Sequence, residues 1–92
     1  MTDILRRRIA RSPEAVSSGV GDETVILHLK DGTYYGLDAV GTRIWTLIEN
    51  GVVPLDICET LASEYEVARE IIETDARRFL EELEFREMIV SA

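Results

Sequence analysis

Residues 23–45 read ETVILHLKDGTYYGLDAVGTRIW, and the hydrophobic period changes inside them. Glu23–Lys30 is rich in Val, Ile and Leu, and Thr33–Leu37 (TYYGL) is a second β-prone run. The Asp31-Gly32 pair between them is a strong hairpin signal, because a type I′ turn requires positive φ at both central residues. The spacing predicts strands at about 23–30 and 33–37. With a two-residue loop, Lys30 faces Thr33, His28 faces Tyr35 and Ile26 faces Leu37. Val25, Leu27, Leu29 and Tyr34 then share the other face. A longer loop changes that register and leaves the facing of Tyr34 and Tyr35 open. A lone hairpin is marginal, so a third strand is expected from residues 9–18, with Val16 packing inward.

After Leu37 the period becomes helical. Asp38 is a good N-cap for a helix running to about Asn50. Its apolar stripe of Val40, Ile44, Trp45, Leu47 and Ile48 suits packing on the sheet, and Asn50-Gly51 is a C-cap signal. Pro54 opens a second helix, about 54–65, with Leu55, Ile57, Cys58, Leu61 and Ala62 inward. A third, about 68–86, carries Ile72, Ala76, Phe79, Leu80 and Leu83 on one face. The apolar tail Met88-Ile89-Val90 is expected to fold back over the core. On the other side of the hairpin, Ser17–Asp22 (SSGVGD) reads as a loop by composition. Residues 1–12 (MTDILRRRIARS), ended by Pro13, read as a frayed, flexible arm or a short edge strand. The expected fold is α+β: a small antiparallel sheet followed by three helices, in a single domain over residues 1–92.

Ninety-two residues bury only about 60–65% of the surface that the unfolded chain exposes, so stability is modest and a partner adds to it. Ten basic residues stand against 18 acidic ones, net −8, which argues against a nucleic-acid or anionic-membrane binder. The charge is uneven: residues 1–46 hold equal numbers of acids and bases, so the whole excess lies in the C-terminal half. One cysteine excludes an intrachain disulfide and a multi-thiolate metal site. No apolar run approaches the length of a membrane span and no signal-like core follows the N-terminus, so a cytoplasmic protein is expected.

Little in the sequence supports catalysis. His28 is the single histidine, and a metal site or a histidine-based triad needs further ligands or a placed nucleophile. It reads as a surface or cross-strand residue. Cys58, on an apolar helix face with no activating cation close in sequence, reads as a small core residue. The six glycines match neither GxGxxG nor a P-loop, and nothing calls for a cofactor or a metal. Three features suit binding instead. Thr33–Leu37 leads straight into a helix, so one of its edges is free to receive an extended peptide. Tyr34 and Tyr35 are rigid amphipathic anchors of the type enriched at interfaces. The third helix carries a flank of Ile71, Asp75, Arg78 and Glu82 at helical spacing, whose acidity suits a peptide bearing Lys or Arg. The plain alternative for that flank is a salt-bridged surface, with Asp75 and Arg78 as an i, i+3 pair.

At Tyr34–Trp45 (YYGLDAVGTRIW) the chain resembles the PqqD-type proteins, the RiPP recognition elements. The likeness continues through Pro54–Tyr65 and through Asp75–Leu83 (DARRFLEEL), and covers about residues 14–90. A free-standing chain of this size is most similar to the members of lasso peptide biosynthesis. The resemblance implies a winged-helix-like fold, a three-stranded antiparallel sheet followed by a three-helix bundle. It implies a non-catalytic protein that captures the leader of a ribosomally made precursor peptide. In the family the leader adds as an antiparallel strand and lies between that strand and the third helix. Carried over, the strand is Thr33, Tyr34, Tyr35, Gly36 and Leu37, and the helix face is Ile71, Asp75, Arg78, Phe79 and Glu82; Phe79 serves equally as core. A pocket for an apolar leader anchor is expected near Tyr34 or Tyr35. The implied partners are the precursor peptide, a cysteine-protease-like leader peptidase and a macrolactam synthetase. Asp38 stands where the family commonly has Asn, and the Arg-rich start is not a family signature.

Three other functions stay open on the sequence. One is a PqqD-type peptide chaperone for another modifying enzyme, such as a radical SAM protein. Another is a DNA-binding winged helix, for which helix 68–86 offers Arg69, Arg77, Arg78 and Arg86 against six acids. The last is an accessory subunit that pairs its open edge with a second copy.

Overall fold

The structure is a computed structural model that describes residues 3–49 and 51–92. The chain runs through a 3-10 turn at Ile4–Arg6, then β1 (Ile9–Arg11), β2 (Ala15–Val20), β3 (Glu23–His28), β4 (Tyr34–Leu37), α1 (Ala39–Leu47), α2 (Pro54–Glu64), α3 (Arg69–Phe85) and β5 (Ile89–Ser91). Strands β2-β3-β4 form an antiparallel sheet in that order, and β1 pairs with β5 in a second, two-stranded ladder. The α+β class, with the antiparallel sheet ahead of three helices, is the one the sequence suggests. None of the described helices is long and apolar enough to cross a membrane.

The central hairpin is present, with a different loop. His28 N–H donates to Thr33 C=O at 2.9 Å, and Ile26 lies opposite Tyr35 rather than Leu37. The connection is thus the four residues Leu29–Gly32, not a two-residue type I′ turn. Two contacts explain it. Leu29 N–H reaches across to Glu14 C=O at 2.8 Å, and Gly32, at φ 75°, donates back to His28 C=O at 2.8 Å. A register change by two residues preserves which face each side chain occupies. Ile26, His28 and Leu37 are therefore buried, while Tyr34 is 69% exposed.

The third strand is β2, residues 15–20, not residues 9–18, and Ser17–Val20 are strand rather than loop. Its turn is Gly21-Asp22 with Gly21 at φ 66°, the glycine-first pattern of a two-residue hairpin. Val16 opposes Leu27 and faces solvent at 49% exposure; Ala15 is the β2 residue that packs on the core. His28 is also not a surface residue, being 2% exposed. Its Nδ1 accepts from Lys30 N–H at 3.3 Å and its Nε2 meets Glu87 C=O at 3.2 Å. Glu87 is the left-handed residue, φ 58°, that ends α3: its own N–H bonds Glu84 C=O and Met88 N–H bonds Leu83 C=O. That is a Schellman stop with glutamate where glycine is favoured, braced by the buried imidazole.

Asp38 caps α1 as expected, its Oδ1 accepting from Gly41 N–H at 2.8 Å. Helix α1 stops at Leu47 because Gly51 and Val52 bond Ile9 on β1; the expected helix end at Asn50 lies outside the described residues. The core unites Ile26 and Leu37 of the sheet, Ile44, Trp45 and Ile48, Ile57, Cys58 and Leu61 of α2, and Ala76, Leu80 and Leu83 of α3. Burial pushes the Cys58 thiol up, away from the reactive thiolate.

Residues 3–12 do not stand off as an arm. Ile4, Leu5 and Ile9 are buried in the core, and β1 carries the folded-back tail, whose Met88 and Ile89 are also buried. The arginines that make this segment look solvated hold it down. Arg7 grips Glu84 through two 3.0 Å bonds, Arg8 bonds Gly51 C=O, and Arg11 stacks on Trp45 at 4.6 Å. Asp3 takes both oxygens to Arg77, at 3.0 and 2.8 Å. The Arg77 guanidinium holds the Asp3 carboxyl down at about 2, against an ordinary 3.8. A lowered folded-state value means that this contribution is full above about pH 4 and is lost as pH falls toward 2. Thermal melts between pH 5 and 2 are expected to fall in that window, and less steeply in Arg77→Gln.

Candidate groove between β4 and α3

Among the described residues, only one side of β4 is paired. Because His28 and Thr33 are a hydrogen-bonded pair, alternation makes Ile26/Tyr35 and Thr24/Leu37 hydrogen-bonded and leaves Val25/Gly36 and Leu27/Tyr34 as the non-bonded pairs. The N–H and C=O groups of Tyr34 and Gly36 therefore point away from β3. No strand among the described residues meets them. Gly36 has open space around it, with nothing within 4 Å of where a Cβ would stand.

That edge borders a groove of about 570 Å³. Tyr35 forms one wall, half-buried against the core. Asp75, Arg78, Phe79 and Glu82 form the other wall on α3, and Asp38, Val40, Gly41 and Ile44 make the floor. The floor depends on the sharp strand-to-helix junction at Asp38, which swings the first two turns of α1 beneath the groove. Gly41 lets Phe79 close down on α1, since a Cβ there would stand 3.3 Å from Phe79 Cε1 and 3.3 Å from Asp38 Oδ1. Arg86, just past the end of α3, spans the two walls. Its guanidinium lies 4.7 Å above the Tyr35 ring and its Nε donates to Glu82 at 2.7 Å.

Of the ten residues singled out from the sequence, the structure brings Tyr35, Asp75, Arg78, Phe79 and Glu82 together in the lining. Leu37 is buried beneath them, Tyr34 and Gly36 are exposed on β4, and Thr33 is exposed just before it. Ile71 is 55% exposed, one turn before Asp75 on α3 and beyond the end of the lining. The floor residues were missed: Val40 and Ile44 read as sheet-packing stripe, yet Val40 is half-exposed to the groove. The signal available was Gly41, a residue out of place in a helix unless something must come close. The Asp75–Arg78 ion pair of the salt-bridged alternative does not form among the described residues. No group of three or more His, Cys, Asp or Glu able to hold a metal ion occurs among them either.

Two solved structures share this architecture. TbiB1 in complex with the TbiA(beta) leader peptide is 46% identical, with a TM-score of 0.82 over 87% of this chain and 93% of that one. A lasso peptide synthetase B1 complexed with the leader peptide is 26% identical, with a TM-score of 0.80 over 90% of this chain and 98% of that one. No curated protein matches the chain. The sequence pattern of coenzyme PQQ synthesis protein D (PqqD) matches residues 23–89, from the first residue of β3 to the first of β5. The hairpin, the capped junction and all three helices that build the groove fall inside that match, and the chain belongs to the PqqD family.

Proposed function

We propose that this protein binds the leader region of a ribosomally synthesised precursor peptide by strand addition to β4. It presents the leader to a separate cysteine-protease-like peptidase and a macrolactam synthetase in lasso peptide maturation, and makes and breaks no bond itself. The observation that carries this is the open edge at Tyr34 and Gly36 on the rim of a groove. It stands in a chain 46% identical to a protein solved with a leader peptide. Main-chain groups of Tyr34 and Gly36 supply sequence-independent affinity, and side chains that alternate inward from the added strand meet Tyr35, Phe79 and the charges of α3. Ile71 extends the α3 wall for the far end of the leader. A DNA-binding role loses support because Arg69 and Arg77 of α3, and Arg86 just past its end, are each held by a carboxylate.

The test is a titration with the leader half of the precursor peptide encoded beside the gene, followed by amide chemical shifts. Saturable shifts are expected at Thr33–Leu37 and along Ile71–Glu82, and Tyr35→Ala is expected to weaken binding about tenfold by removing a groove wall. A leader that leaves every shift in place, with a mass that rises with concentration, assigns the edge to self-pairing.

A further inference from the structure

Five of the arginines form carboxylate pairs: Arg7 with Glu84, Arg43 with Glu64, Arg69 with Glu73, Arg77 with Asp3 and Arg86 with Glu82. Arg78 does not. It lines the groove with an acid three residues before it and another four residues after it, yet neither is its partner among the described residues. Glu82 is taken by Arg86. Asp75, also in the lining, has no cation partner among the described residues. The wall facing β4 thus presents one unpaired guanidinium and one unpaired carboxylate, one helical turn apart.

Side chains at i and i+3 on a helix stand about 5–6 Å apart, and alternate side chains on one face of a strand stand about 6.6 Å apart. A strand laid along β4 therefore brings two successive inward side chains opposite Asp75 and Arg78. We propose that these two residues select the leader, and that the leader carries an acidic side chain facing Arg78 and a basic one facing Asp75, two positions apart. The planar fork of arginine matches a carboxylate through two parallel bonds, as Arg7 and Arg77 already do within this chain. The net charge of −8 disfavours a leader that is acidic throughout, so a matched pair fits better than an acidic run. This selection rests on the leader-binding function proposed above.

The experiment is calorimetric titration with the leader half of the precursor peptide encoded beside the gene, and with versions of it. In these, each Asp or Glu is changed singly to its amide and each Lys or Arg singly to Met. Arg78→Gln is expected to weaken the parent leader about three- to tenfold. One acid-to-amide leader is expected to show the same loss with wild-type protein and no further loss with Arg78→Gln. Asp75→Asn is expected to behave likewise toward one basic residue two positions away. The double exchange Asp75→Arg with Arg78→Asp is expected to prefer a leader whose acid and base are swapped. Both residues are exposed, and unchanged far-UV circular dichroism checks that the variants fold. Neutral leader versions that all bind like the parent, or losses that simply add, overturn the selection while leader binding stands; the charges then touch backbone or nothing. A parent leader that does not bind at all overturns the function and the selection together.

Discussion

Gly36→Pro is expected to lower leader affinity at least tenfold while moving the melting temperature by less than about 4 °C. The two effects separate because of where the Gly36 N–H points. It lies on the side of β4 turned away from β3, so removing it costs the existing sheet no hydrogen bond. An incoming strand loses a donor worth roughly 0.5–1.5 kcal/mol and meets a ring in the path of its own carbonyl. Gly36→Ala is the control, since its methyl enters open space and the N–H stays; it should bind within about twofold of the parent. Parent-like binding by the proline variant, measured by the same titration, would show that the leader does not use this edge.

Deleting residues 1–8 is expected to cost about 4 kcal/mol or more, because it strips the Ile4 and Leu5 side chains from the core. The Asp3–Arg77 and Arg7–Glu84 pairs go with them. Domains of this size hold only about 5–15 kcal/mol in total, so the truncated chain should melt at least about 15 °C lower. Leu5→Ala alone should give roughly half the loss. Leader affinity should drop as well, since the segment backs the face of α3 opposite the groove. A truncated chain with the parent melting temperature would mean that these residues are not part of the core.

That segment also marks where local sequence signals gave out. The hairpin, the Asp38 cap and the three helices were legible because turn residues, caps and periodicity act within a few positions. The four-residue loop was not, since Leu29 is held by Glu14, in the turn just before β2. Ser17-Ser18-Gly19 reads as a loop on propensity and becomes strand because β3 offers it a ladder. The arginines at 7, 8 and 11 read as solvated charge because their partners lie at Glu84, Gly51 and Trp45. In the groove, the strand edge and the α3 wall could be placed by periodicity and family likeness. The α1 floor could not, because it depends on how sharply the chain turns after Leu37.

The ladder between β1 and β5 sets Ile9 opposite Ser91. In time, this means that residues 4–9 wait for residues 83–91, made long after them. Ile4, Leu5 and Ile9 cannot be covered by Leu83, Met88 and Ile89 until those residues have left the ribosome, and the loop closed by their meeting encloses the β2-β3-β4 sheet and all three helices. A growing chain can form the β2-β3-β4 hairpins early, but its core stays open at the bottom until Met88 and Ile89 emerge. The protein is thus completed in one late step, and a ribosome stalled before Met88 carries an incomplete fold with apolar residues uncovered.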